Sequence, residues 1–129
     1  MILVDTSAFL AMASAEDKFH SNAMASIDSL LRSGEPLLVH NYTIVETLAL
    51  LQRRFGMEAV NAFADDLVEY EVEWISRDLH DAALRELQSR ARKDLSLVDV
   101  VSFHILRRRG LNRVLAFDSQ FWEEGFQQA

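Results

Sequence analysis

The chain has 129 residues and a formal net charge of -7, and half of its residues are hydrophobic. That length fits one domain, 1–129, and the apolar fraction is too high for a disordered chain. The acidic balance argues against a general nucleic-acid coat protein, and the lack of cysteine excludes disulfides, thiolate metal ligands and a cysteine nucleophile.

The chain starts Met1-Ile2-Leu3-Val4-Asp5, with no basic segment and no long apolar one, so no signal peptide is expected. No apolar run approaches the roughly 18 residues a membrane span needs, and a cytoplasmic location away from membranes is expected. Ile2-Leu3-Val4 reads as a short buried strand ended by Asp5. Thr6 to Ala13 follows as a first helix. Phe19, Ala23, Met24, Ile27, Leu30 and Leu31 recur at helical spacing and predict a helix from Glu16 to Arg32, stopped at Ser33-Gly34. Leu37 to His40 is a second strand. Helices are predicted over Tyr42–Phe55, with Gly56 as the stop, and over Met57–Glu69. Val72 to Ile75 is a third strand and Arg77 to Arg92 an amphipathic helix. Ser96 to Arg109 is apolar nearly all round and predicts a buried helix ending at Gly110. Val114 to Phe117 is a fourth strand, ended by Asp118, with a short helix after it around Ser119 to Glu124.

Strands alternating with helices imply an α/β fold with a parallel sheet. The four glycines are scattered, so no phosphate-cradling loop is present and a nucleotide-binding reading is weakened. Eight of the thirteen basic residues lie between Arg85 and Arg113. Such a polar distribution can serve one face of an RNA-binding protein, or can simply solvate helices.

In an open parallel sheet, ligands bind beyond the C-terminal strand ends. Two strands here end in an aspartate, so Asp5 and Asp118 should emerge at that edge. Glu46 is expected in the first turn of the helix after the second strand, at the same edge. Asp99 is expected in the first turn of the buried helix, brought there by the Arg92–Leu95 connection. Each acid also has a capping explanation. Thr43 with Glu46 and Ser96 with Asp99 match the capping-box spacing, and Asp5 and Asp118 could cap the helices that follow them. As a set, four acids at one edge repel one another unless protons or a cation intervene. Carboxylate oxygens suit hard cations such as Mg²⁺ or Mn²⁺, which can polarise a phosphodiester and activate water.

Val4-Asp5-Thr6-Ser7, Glu46 after Asn41-Tyr42-Thr43, Leu95-Ser96-Leu97-Val98-Asp99 and Phe117-Asp118-Ser119-Gln120-Phe121 stand in the order and spacing of PIN domains. From Ile2 to about Gly125 the chain resembles the VapC-type toxins of prokaryotic toxin–antitoxin pairs. The resemblance implies a PIN-like three-layer α/β/α sandwich with a parallel sheet of four to five strands. It implies Mg²⁺- or Mn²⁺-dependent endoribonuclease activity on an RNA substrate. Asp5, Glu46, Asp99 and Asp118 carry over as catalytic and metal-binding acids, with Thr6 or Ser7 supporting the first aspartate and Ser96 preceding the third acid. A cognate antitoxin is implied as a partner, able to insert an Arg among the acids, and so is a homodimer through the helices 16–32 and 42–67. One departure is visible: only Phe126-Gln127-Gln128-Ala129 remains where relatives add an edge strand, so that strand should be short or absent.

Arg92 and Lys93 lead into the helix bearing Asp99 and are the candidates for RNA phosphate contacts. Arg107 to Arg109 lies at its far end, about 15 Å away at the usual rise, where it complements the helix terminus. Among the histidines His40, at a strand end, stands out, while His104 reads as a core residue. Asp94 reads as a loop acid, and Trp74 and Phe103 as core. Trp122 and Phe121 are expected to cover the last strand. The alternatives are a catalytically silent RNA-binding or protein-interaction module of the same fold, a housekeeping RNA-processing nuclease, and a phosphatase or DNA nuclease built on the same acids.

Overall fold

A computed structural model describes all 129 residues. Strand β1 (Ile2–Val4) is buried on both faces, because none of its side chains can bond water and each finds an apolar layer. Helix α1 (Thr6–Ala13) follows, then α2 (His20–Ser33), β2 (Leu37–His40), α3 (Asn41–Phe55) and α4 (Met57–Asp66). A single 3₁₀ turn over Leu67–Glu69 leads into β3 (Tyr70–Glu73). Then come α5 (Arg77–Arg90), α6 (Leu97–Arg109), β4 (Arg113–Leu115), α7 (Gln120–Glu123) and β5 (Gln127–Gln128).

The five strands form one parallel sheet in the order β3-β2-β1-β4-β5. Alternate strand residues feed two apolar layers. Ile2, Val4, Leu37, Val39 and Leu115 pack against Phe9, Ile27, Leu51 and Phe63 of α1–α4. Leu3, Leu38, Val114 and Ala116 pack against Leu79, Val101, Phe103, Leu106 and Phe121 of α5–α7. This is the expected α/β/α sandwich, and no helix is long and apolar enough to cross a membrane.

Several boundaries differ from expectation. Helix α2 begins at His20 rather than Glu16, because the Asp17 carboxylate takes the Phe19 N–H in a local turn. Strand β3 starts two residues early: Tyr70 and Val72 join the core while Glu71 and Glu73 reach Arg109 on the other face. The strand therefore ends before Trp74, which is 76% exposed rather than in the core. Phe103 is fully buried as expected, whereas His104 is only partly buried, beside Glu86. Strand β4 stops at Leu115, but the following Ala116 stays buried. The edge strand forms with two residues, pairing Gln127 with Arg113 and Gln128 with Val114.

His40 holds two layers together. It is fully buried, and its Nδ1 accepts the Thr43 N–H at 3.3 Å, capping α3. Its Nε2 lies 2.8 Å from the Ser102 hydroxyl on α6 and 3.1 Å from the Thr43 hydroxyl. Burial pushes its pKa down to about 3, so the ring is neutral and carries its proton on Nε2. His40→Ala removes the cap and orphans the Ser102 hydroxyl. The expected loss is about 3 kcal/mol of unfolding free energy, read by urea denaturation at pH 8.

Candidate active site

Side-chain alternation decides which acids meet. Leu3 and Ala116 face the α5–α7 layer, so Asp5 and Asp118, each two residues on, turn to the same layer just past the strand ends. Asp99 stands in the first turn of α6, in that layer. The electrostatics agree with this placement. The Asp5 carboxyl is pushed up to about 7, chiefly by burial and further by the negative charges of Asp118 and Asp99, against two hydrogen bonds from Ser7. The Asp118 carboxyl is raised by desolvation at this crowded edge and by Asp99. The Asp99 carboxyl is raised by its partial burial, against its bonds to Ser96, and slightly by Asp94.

Asp5 is 2% exposed, and only one of its oxygens is tied to the protein. Its Oδ2 accepts the Ser7 N–H at 3.0 Å and the Ser7 O–H at 2.7 Å. The Ser7 Oγ in turn accepts the Phe117 N–H at 2.9 Å. One hydroxyl thus joins the end of β1 to the segment that carries Asp118. The hydroxyl next to the first aspartate is therefore that of Ser7. Thr6 is buried and turned to Thr47, at 3.5 Å.

Asp99 closes a full capping box. Its N–H donates to the Ser96 Oγ at 3.1 Å, and its Oδ2 accepts the Ser96 N–H at 2.9 Å. The helix N-terminus favours the negative charge held there. Neither Asp5 nor Asp99 uses Oδ1 in a bond to the protein. None of Asp5, Glu46, Asp99 and Asp118 enters an ion pair, although twelve pairs join other residues.

Glu46 is placed differently from expectation. Helix α3 starts at Asn41 with His40 as its cap, so Glu46 lies in the second turn and forms no capping box with Thr43. Its helix packs in the α1–α4 layer but starts at the same sheet edge, directly after β2, and no group of three acidic or imidazole side chains closes tightly enough to enclose an ion. Asp118 caps nothing, since α7 begins after Ser119 without a side-chain cap.

The donor set nevertheless suits a hard divalent cation. It offers carboxylate oxygens only, two of them anchored through their neighbours, and it lacks any cation of its own. The basic neighbours differ from one another. Arg92 is held by Asp94, at 3.0 and 2.7 Å, and by Glu123 at 3.1 Å. Lys93 is exposed and enters no ion pair. Arg107 and Arg109 are also paired, with Glu124 and Glu73. No local pattern signals the Ser7–Phe117 bond or the His40–Ser102 bond, because both join residues far apart in the chain.

Residues 2–124 match the PIN domain family, and the chain belongs to it. It is 34% identical over 129 residues to the 23S rRNA-specific endonuclease VapC20 of Mycobacterium tuberculosis, covering 98% of this chain and 95% of that protein. The crystal structure of that VapC20, described as a toxin that cleaves the sarcin-ricin loop, superposes with a TM-score of 0.85 at 32% identity, over 98% of this chain and 97% of that one. A toxin-antitoxin complex from Klebsiella pneumoniae shares the fold, with a TM-score of 0.71 at 13% identity over 100% of this chain and 96% of that one.

The raised Asp5 pKa has a direct consequence for stability. Ionised Asp5 is disfavoured in the folded state, so its contribution is full below about pH 4 and is lost as pH rises through about 7. In EDTA, Asp5→Asn should therefore be the more stable protein at pH 8, by roughly 2–4 kcal/mol, with the gap closing by pH 4. Thermal unfolding of the pair across that range checks it.

Proposed function

We propose that this chain is a metal-dependent endoribonuclease and the toxin of a type II toxin–antitoxin pair. The observation that carries this reading is the buried Asp5 carboxyl, with one free oxygen, facing Asp99 and Asp118 with no basic side chain among them. Asp5, Asp99 and Asp118 would hold Mg²⁺ or Mn²⁺, and Glu46 would complete the set from α3. When bound, such an ion supplies Lewis-acid polarisation of a phosphoryl oxygen and acidifies water.

The protein's own part is to position and to exclude. Ser7 fixes the Asp5 carboxylate, leaving Oδ1 for ligation. Ser96 does the same for Asp99 and aligns it with the α6 terminus. Lys93 contacts the RNA backbone, and Arg92 joins it when Asp94 and Glu123 release the guanidinium. The likeness to VapC20 supports ribosomal RNA as substrate, with a structured hairpin such as the sarcin-ricin loop as its target.

A cognate antitoxin and a homodimer belong to the same reading, as does a cytoplasmic location. Support comes from the α1–α4 layer, which leaves Met24, Leu31, Val45, Phe55 and Met57 exposed. A groove of about 410 Å³ runs among Phe9, Met12, Met24, Ile27 and Phe63 there. Apolar surface of this kind is usually covered by protein.

The test is cleavage of ribosomal RNA with Mg²⁺ or Mn²⁺. Asp5→Asn and Asp99→Asn should each lower the rate by roughly a hundredfold or more, and Ser7→Ala by about tenfold through the loosened carboxylate. A pure wild-type protein that cleaves no RNA and binds neither metal contradicts the reading.

A further inference from the structure

A second cleft opens between α2, α7 and the end of β5. It measures about 340 Å³ and is lined by Phe19, Asn22, Ser26, Phe117, Trp122 and Gln128. Phe117 immediately precedes Asp118, and its N–H is bound to the same Ser7 hydroxyl that holds Asp5. The cleft wall and the buried carboxylate are thus two hydrogen bonds apart.

The chemistry of the lining is specific. Phe19 and Phe117 stack with ring centroids 4.8 Å apart and planes 12° from parallel, and Trp122 adds a third, partly exposed aromatic face. Asn22 and Gln128 each carry both donors and an acceptor, and Ser26 carries a hydroxyl. Asn22 and Ser26 lie one turn apart on α2, so they present to the same side. Lys18 places its ammonium 4.9 Å from the Phe19 ring centroid and enters no ion pair. An apolar peptide segment would leave these amides without partners. A nucleobase uses all of the features at once: a flat face for the rings, an edge of donors and acceptors for the amides, and a phosphate for the lysine. The volume suits one nucleoside and is too small for a helix.

We propose that this cleft is a nucleobase subsite, which holds one unstacked base of the RNA next to the cleaved phosphodiester. This rests on the endoribonuclease reading above and adds to it where sequence preference arises. Trp122 offers the open face that stacks on the base, the Phe19–Phe117 pair forms the apolar wall beside it, Asn22 and Gln128 read its edge, and Lys18 meets the neighbouring phosphate.

Two measurements on the full chain test it. In the first, cleavage kinetics compare wild type with Asn22→Ala and Phe19→Leu. KM should rise about tenfold in each while kcat changes little, and the base preference beside the cut should flatten with Asn22→Ala. Asn22 is exposed, so its variant folds even if Phe19→Leu does not. The second needs no cleavage. In a Trp74→Phe background Trp122 is the sole tryptophan, and its emission should be quenched by ribonucleoside 5′-monophosphates at millimolar concentration, unequally among the four bases. Unchanged KM and preference, or emission blind to every nucleotide, overturns the proposal. So does a pattern in which the variants lose only affinity for a protein inhibitor, which would assign the cleft to a protein side chain. A wild type that cleaves no RNA defeats the parent reading, and the quenching experiment still decides the cleft.

Discussion

The structure depends on a carboxylate buried where charge is costly. Asp5 terminates the central strand, is almost wholly shielded from water, and has the charges of Asp99 and Asp118 near it. Two hydrogen bonds from Ser7 offset part of that cost, but burial and like charge prevail, since the pKa stands near 7 rather than below 4. A folded protein keeps such an arrangement when something else uses it. Charge at the end of a parallel strand is where a divalent cation can neutralise it and a phosphate can approach.

The surrounding fold holds that carboxylate in place. The sheet presents Asp5 and Asp118 to one layer by strict alternation, and α6 brings Asp99 in by its first turn. The fully buried His40 fixes α6 against β2 through Ser102, one turn beyond Asp99. Ser7 then joins the ends of β1 and β4. A loss at any of these joints moves an acid rather than deleting one. Mutations at His40 or Ser102 are therefore expected to act on the site through position.

The strand-end acids were legible in the sequence because an apolar run closed by an aspartate states both burial and edge. Asp99 was legible as a cap through its serine three residues earlier, and the capping box is present. Glu46 was harder, because Thr43 imitates a cap signal while the working cap is His40, an unusual residue in that role. Its second-turn position follows from that one substitution of cap. Trp74 misled for a related reason. A strand that begins two residues earlier ends before the indole, and no helix covers that corner. The aromatic cleft was invisible because Phe19 and Phe117 meet only in three dimensions.

The most direct measurement is the titration of the Asp5 carboxyl itself, followed by carbon NMR with selectively labelled aspartate and assigned by Asp5→Asn. Without metal the expected pKa is about 7, and added Mg²⁺ or Mg²⁺-like diamagnetic ions should drive it down by favouring the ionised form. A carboxyl that titrates near 4 and ignores the added ion would contradict a coupled acidic metal site at this sheet edge.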